Sequence, residues 1–193
     1  MPRTKQFDEK EVLNKAMELF WQKGFHATSM QDLVSHLGIN RASLYDTFGG
    51  KDALFESAFS LYRETNGDII QHLFETERSV KEGFRKLFQK AIDESMQDDC
   101  KKGCFVVNTT TELIPGDEKI QKILLENKIK TENLFTAFVQ KGIRNGEIKT
   151  NKNADEIGLM LFALFNGIRV LAKVDADPEK LYSIMNSGLS VLD

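Results

Sequence analysis

A chain of 193 residues that is 41% hydrophobic can bury a sizeable core, as one domain or as a small domain joined to a larger one. Its net charge of −3 excludes a protein that coats nucleic acid nonspecifically, and two cysteines are too few for a disulfide framework and fit a reducing cytoplasm. Three prolines, no apolar run long enough to span a bilayer and a start (MPRTKQFDEK) without an apolar leader segment point to an all-α protein of about nine helices with no membrane partner.

The first helix is expected from about Asp8 to Lys23, with Val12, Leu13, Ala16, Met17, Leu19, Phe20 and Trp21 as a broad apolar stripe and Gly24 as its stop. Thr28 or Ser29 can cap a second, short helix on which Met30, Leu33, Val34 and Leu37 share a face. Gly38 follows, able to take the positive φ of a sharp reversal. Asn40 can cap a third helix, Arg41 to Phe48, with Ala42 and Leu44 as packing residues. Arg41, Ser43, Tyr45 and Thr47 are then its polar groups, and Gly49-Gly50 ends it. A fourth helix is expected from Lys51 to about Phe74. Phe84, Leu87, Phe88, Ala91 and Ile92 mark a fifth, and Gly103 to Leu113, stopped by Pro115, a sixth. Asp117 can cap a seventh that runs to Asn145-Gly146. Two more, at about Ala154–Lys173 and Pro178–Leu192, close the chain.

Two short helices joined by a glycine turn, the second polar on its outer side, form the geometry that enters a DNA major groove. Arg41 suits phosphate or a guanine edge, and Tyr45 a phosphate or a thymine methyl. Ser43 and Thr47 are hydrogen-bonding candidates. Lys51 at a helix N-terminus suits a phosphate, as does Thr28 one motif helix earlier. Local charge helps little: residues 1–51 hold seven Lys/Arg and six Asp/Glu, so Arg3, Lys5, Arg41 and Lys51 would have to cluster on one surface. A solvated helix face is the bland alternative for all of these, and His36 is as well explained by plain exposure.

The run Phe20-x3-Gly24-x3-Thr28-Ser29-Met30, then Asp32-Leu33, Gly38-Ile39-x-Arg41-Ala42-Ser43-Leu44-Tyr45-x2-Phe48-x2-Lys51-x2-Leu54-Phe55, resembles the N-terminal domain of the TetR family of transcriptional regulators. The resemblance covers roughly residues 8–55 and is dense. It implies a DNA-binding helix-turn-helix domain, residues 1–50, followed by a helical dimerisation and effector domain, residues 51–193. It also implies a near-palindromic double-stranded operator, a small-molecule effector and a homodimer formed through the last two helices. Leu181, Ile184, Met185, Gly188, Leu189 and Leu192 recur at helical spacing there, and Gly158 and Gly167 would let helices approach closely. An ordinary intramolecular helix pair fits the same pattern.

Cys104 follows Lys101-Lys102-Gly103 at the expected start of the sixth helix, where helix N–H groups and ammonium charges favour a thiolate. Some regulators of this family with a Gly-Cys phrase here respond to oxidants or electrophiles; a small buried packing residue beside Phe105 is the simpler reading. Among fourteen phenylalanines, Phe84, Phe88, Phe105, Phe135, Phe138, Phe162 and Phe165 can line an apolar effector cavity, with Asn108, Thr109 and Asn166 as orienting polar groups. At helical spacing they can equally be plain core. His26, His36 and His72 are dispersed, and neither a metal-ligand spacing, a nucleophile elbow nor a phosphate loop occurs. The expectation is a cytoplasmic, effector-released repressor without cofactor or catalysis; the alternative is a helical ligand-binding or scaffold protein lacking operator binding.

Overall fold

The computed structural model describes residues 7–98 and 100–193. Its helices are α1 (Glu9–Lys23), α2 (Met30–Leu37), α3 (Arg41–Phe48), α4 (Lys51–Thr76), α5 (Val80–Gln97), α6 (Phe105–Leu113), α7 (Glu118–Arg144), α8 (Ala154–Val174) and α9 (Pro178–Leu189), closed by a 3-10 turn at Ser190–Leu192. The all-α class with about nine helices holds among the described residues. The chain divides into two compact units between Thr65 and Asn66, inside α4.

In the N-terminal unit the caps explain the helix starts. The Asp8 carboxylate accepts from the Lys10 and Glu11 amides and starts α1. Val12, Ala16, Leu19 and Phe20 of α1 are buried, as are Leu33 and Leu37 of α2, Leu44 of α3 and Leu54, Phe55, Ala58 and Phe59 of α4. Phe20 and Phe25 meet Phe55 edge-on at 5.2 and 5.0 Å, a geometry that aligns ring edges with ring faces.

In the C-terminal unit α7 and α8 form the most extensive helix pair, while α5 packs on α8 and α9 and α6 on α7. Gly158 lies so close to α7 that a Cβ would stand 2.9 Å from the Thr136 backbone. Its glycine therefore serves contact within the chain. Phe74 and Phe138 stack at 4.1 Å, and Phe84 and Phe135 meet them edge-on or tilted. The Glu147 carboxylate, just beyond α7, accepts from the Ser79 hydroxyl (2.7 Å) and from the Val80 and Lys81 amides (2.9 and 3.0 Å), capping α5. Burial alone would raise this carboxyl, but the Ser79 hydroxyl and the two amides outweigh it and hold it below the usual range.

Three sequence expectations need correction. The sixth helix starts at Phe105, because Gly103 takes φ +66° and Cys104 is the extended N-cap. The last α-helix ends at Leu189, with the 3-10 turn completing the run to Leu192. And α8, at 21 residues, is long and apolar enough to cross a membrane by length and composition. It packs in the core through Ile157, Gly158, Leu161, Phe165, Ile168 and Ala172. Its other face, with Leu159, Met160, Val170, Leu171 and Val174, is exposed.

Candidate nucleic-acid interface

Ser29 caps α2 in a reciprocal box: its hydroxyl accepts from the Asp32 amide at 3.0 Å, and its own amide donates to the Asp32 carboxylate at 2.8 Å. The Lys23 ammonium reaches the same carboxylate at 2.8 Å and joins the end of α1 to α2. That ammonium, followed by the Ser29 hydroxyl and amide, holds the Asp32 carboxyl well below the ordinary range. Gly38 ends α2 in the left-handed region at φ +68°, the turn that brings α3 across it. Asn40 then caps α3 by accepting from the Ser43 amide at 2.8 Å.

Arg41, Ala42, Tyr45 and Asp46 are the exposed residues of α3, whereas Leu44 is buried and Ser43, Thr47 and Phe48 are half-buried. The Arg41 guanidinium lies 5.8 Å from the Tyr45 ring centroid, so one helical turn carries a paired cation and aromatic. Gly50 has φ +116°, and a Cβ there would come within 3.0 Å of the Tyr45 ring, so the glycine leaves room for that ring. Lys51 opens α4 with its ammonium 4.3 Å from the Phe25 centroid. That contact fixes the ammonium over the Phe25 ring at the residue that opens α4. The surface can thus offer one guanidinium, one phenol and one ammonium to a polyanion.

Two expectations on this face change. Thr28 is fully buried and its hydroxyl donates to the Gly24 carbonyl at 2.6 Å, so it stitches the α1–α2 turn and has no side-chain group left for phosphate. Ala42, expected to pack, is exposed, because Leu44 and Phe48 set the phase of α3 and turn residue 42 outward. Asp46 was missed altogether: it stands one turn after Ala42, so the expectation that Ala42 packs hid it, and only the observed phase of α3 places both on the outer side. His36 is exposed on α2. Arg3 and Lys5 lie outside the described residues.

Phe84, Phe88, Phe105, Phe135, Phe138 and Phe165 are buried and Phe162 partly so, with most of these rings in contact with one another. Asn166 donates to the Phe162 carbonyl within its own helix. Asn108 donates to the Lys102 carbonyl and accepts from the Lys173 ammonium at 3.0 Å, tying the start of α6 to the end of α8. Cys104 is buried and makes no cap bond, Cys100 is exposed, and neither is in a disulfide. Thr110 and Thr111 bond back to the preceding turn, but the buried Thr109 hydroxyl has no hydrogen-bond partner. Such an orphan costs about 1–3 kcal/mol. No group of His, Cys, Asp and Glu suited to a metal ion occurs among the described residues.

The family of bacterial regulatory proteins, tetR family, matches residues 12–58, and the tetracyclin repressor-like C-terminal domain matches residues 80–187. The chain belongs to the TetR family. It is a helix-turn-helix DNA-binding transcriptional regulator. The HTH-type transcriptional regulator YezE of Bacillus subtilis (strain 168) is 35% identical over the whole of both chains. The HTH-type transcriptional repressor ComR of Escherichia coli (strain K12) is 30% identical, over 97% of this chain and 90% of its own. Among solved structures, a cysteine mutant of the TetR family regulator CifR, complexed with 26-bp double-strand operator DNA, superposes with a TM-score of 0.88. It is 25% identical, over 99% of this chain and 100% of that one.

Proposed function

We propose that this TetR-family regulator is a repressor that binds a near-palindromic operator as a homodimer and is released by a small apolar or electrophilic effector. Exposure of Arg41 and Tyr45 on the outer face of α3, with Lys51 beyond its end, carries the operator reading. Arg41 contacts a base edge or phosphate, Tyr45 a phosphate or thymine methyl, and Lys51 a phosphate; Ser43 and Thr47 assist from the flank. The repressor names of ComR and the operator-bound state of CifR support this direction.

The exposed apolar face of α8 supports a dimer interface, with α9 beside it. Two recognition helices related by such an axis read two half-sites about one DNA turn apart. The buried Cys104 thiol and the partnerless Thr109 hydroxyl support an effector site near α6, framed by Phe105, Asn108 and the phenylalanines of α5, α7 and α8. An effector that binds more tightly to the DNA-incompetent state shifts the protein off its operator. The protein acts in the cytoplasm, by binding and not by catalysis.

The decisive experiment is selection from random duplexes by the purified protein, followed by salt-dependent anisotropy on the enriched sequence. A near-palindrome with a steep salt slope supports the reading. Absence of enrichment from low to moderate salt overturns it.

A further inference from the structure

The outer side of α3 consists of two adjacent columns. Arg41 and Tyr45 form the first and are paired with each other. Ala42 and Asp46, also one turn apart, form the second. Asp46 is exposed, and among the described residues it makes no hydrogen bond or ion pair. Its place in α3 is unfavourable for the fold, because it is the sixth of eight residues, towards the end where the helix dipole disfavours an anion. Its place is also unfavourable for general DNA affinity, since a carboxylate is repelled by phosphates. Neither stability nor electrostatic attraction accounts for an acid on this face.

Base chemistry does account for it. Resting on the operator reading above, we propose that Asp46 selects a cytosine in each operator half-site by accepting a hydrogen bond from its exocyclic amine. A carboxylate offers only acceptors. Guanine presents two acceptors in the major groove and thymine an acceptor beside a methyl, so both are rejected. Adenine places an acceptor next to its amine and repels the second carboxylate oxygen. Cytosine alone offers an amine donor without an adjoining major-groove acceptor. The short side chains of Ala42 and Asp46 let this column come close to the base edges, while the longer Arg41 and Tyr45 reach outward beside it.

The test is random-duplex selection with the full-length wild type, Asp46→Asn and Asp46→Ala. The wild type should enrich cytosine at one position per half-site, with about a tenfold preference over guanine or thymine. Asp46→Asn keeps the size but pairs a donor with an acceptor, so the same position should switch to adenine. Asp46→Ala should leave it degenerate. Retention of one base by all three proteins overturns the inference, as does an Asp46-dependent position that is not cytosine. Tighter binding to every duplex by both variants, with unchanged base preference, also overturns it, because Asp46 is then only a repulsive charge. No enrichment by the wild type removes the operator reading itself and this inference with it.

Discussion

Arg41 and Lys51 are both cations near the ends of α3, yet they should fail differently. Arg41 stands exposed at the first turn of the recognition helix, where side chains reach base edges. Lys51 is half-buried with its ammonium over the Phe25 ring, and it opens α4, where the free N–H groups of a helix start suit a phosphate. Arg41→Ala should therefore weaken binding to the selected operator by roughly tenfold and relax preference at one position. Lys51→Ala should weaken all duplexes alike and lower the salt slope by about 1. Anisotropy over a salt series, on matched and scrambled duplexes, separates the two; identical salt slopes for Lys51→Ala and wild type would show that Lys51 meets no phosphate. Thr28 illustrates where sequence falls short at this scale. A threonine before a helix can offer its hydroxyl outward or back to the chain, and only the bond to Gly24 decides between them.

Helix boundaries were mostly legible because capping is local. Ser29, Asn40, Asp117 and Pro178 lie within a few residues of what they start, and each helix begins beside them. Helix phase was less legible: one residue turns a side chain by about 100°, enough to move Ala42 from the packing side to the outer side. The cap on α5 was invisible for a different reason, since Glu147 reaches Ser79, Val80 and Lys81 across 66–68 positions of sequence. Removing it by Glu147→Ala should destabilise the chain by roughly 1–3 kcal/mol at neutral pH, because three donors lose one acceptor group. The folded-state carboxyl lies below its ordinary value of 4.5, so its contribution is complete above that pH. It is lost as pH falls through the lowered value. Denaturant titrations of wild type and variant should accordingly differ most near neutrality and converge in acid; a constant gap at all pH values would mean that the charge of Glu147 is not what caps α5.

The apolar surface of the last two helices is unequally distributed, which bears on how two copies would meet. On α9, Leu181, Met185 and Leu189 are buried within the chain, and Ser183, Asn186 and Ser187 face outward. The recurring leucines and methionine of that helix thus belong to the chain's own core. On α8, by contrast, Leu159, Met160, Val170, Leu171 and Val174 are exposed on one side, with Gly167 among them and open space beyond its Cα. A contiguous apolar face with a glycine at its middle favours close contact with a copy of itself about a two-fold axis. Placing a charge at both ends of that face, Leu159→Arg with Leu171→Arg, leaves the buried side of α8 untouched, so helical circular dichroism should be preserved. Sedimentation should then report a monomer. Each monomer carries one recognition helix, so operator affinity should fall by roughly a hundredfold or more as the linked second half-site is lost. A variant that still sediments as a dimer would move the interface away from α8. One that becomes monomeric yet holds the full operator with unchanged affinity would show that each half-site is read independently.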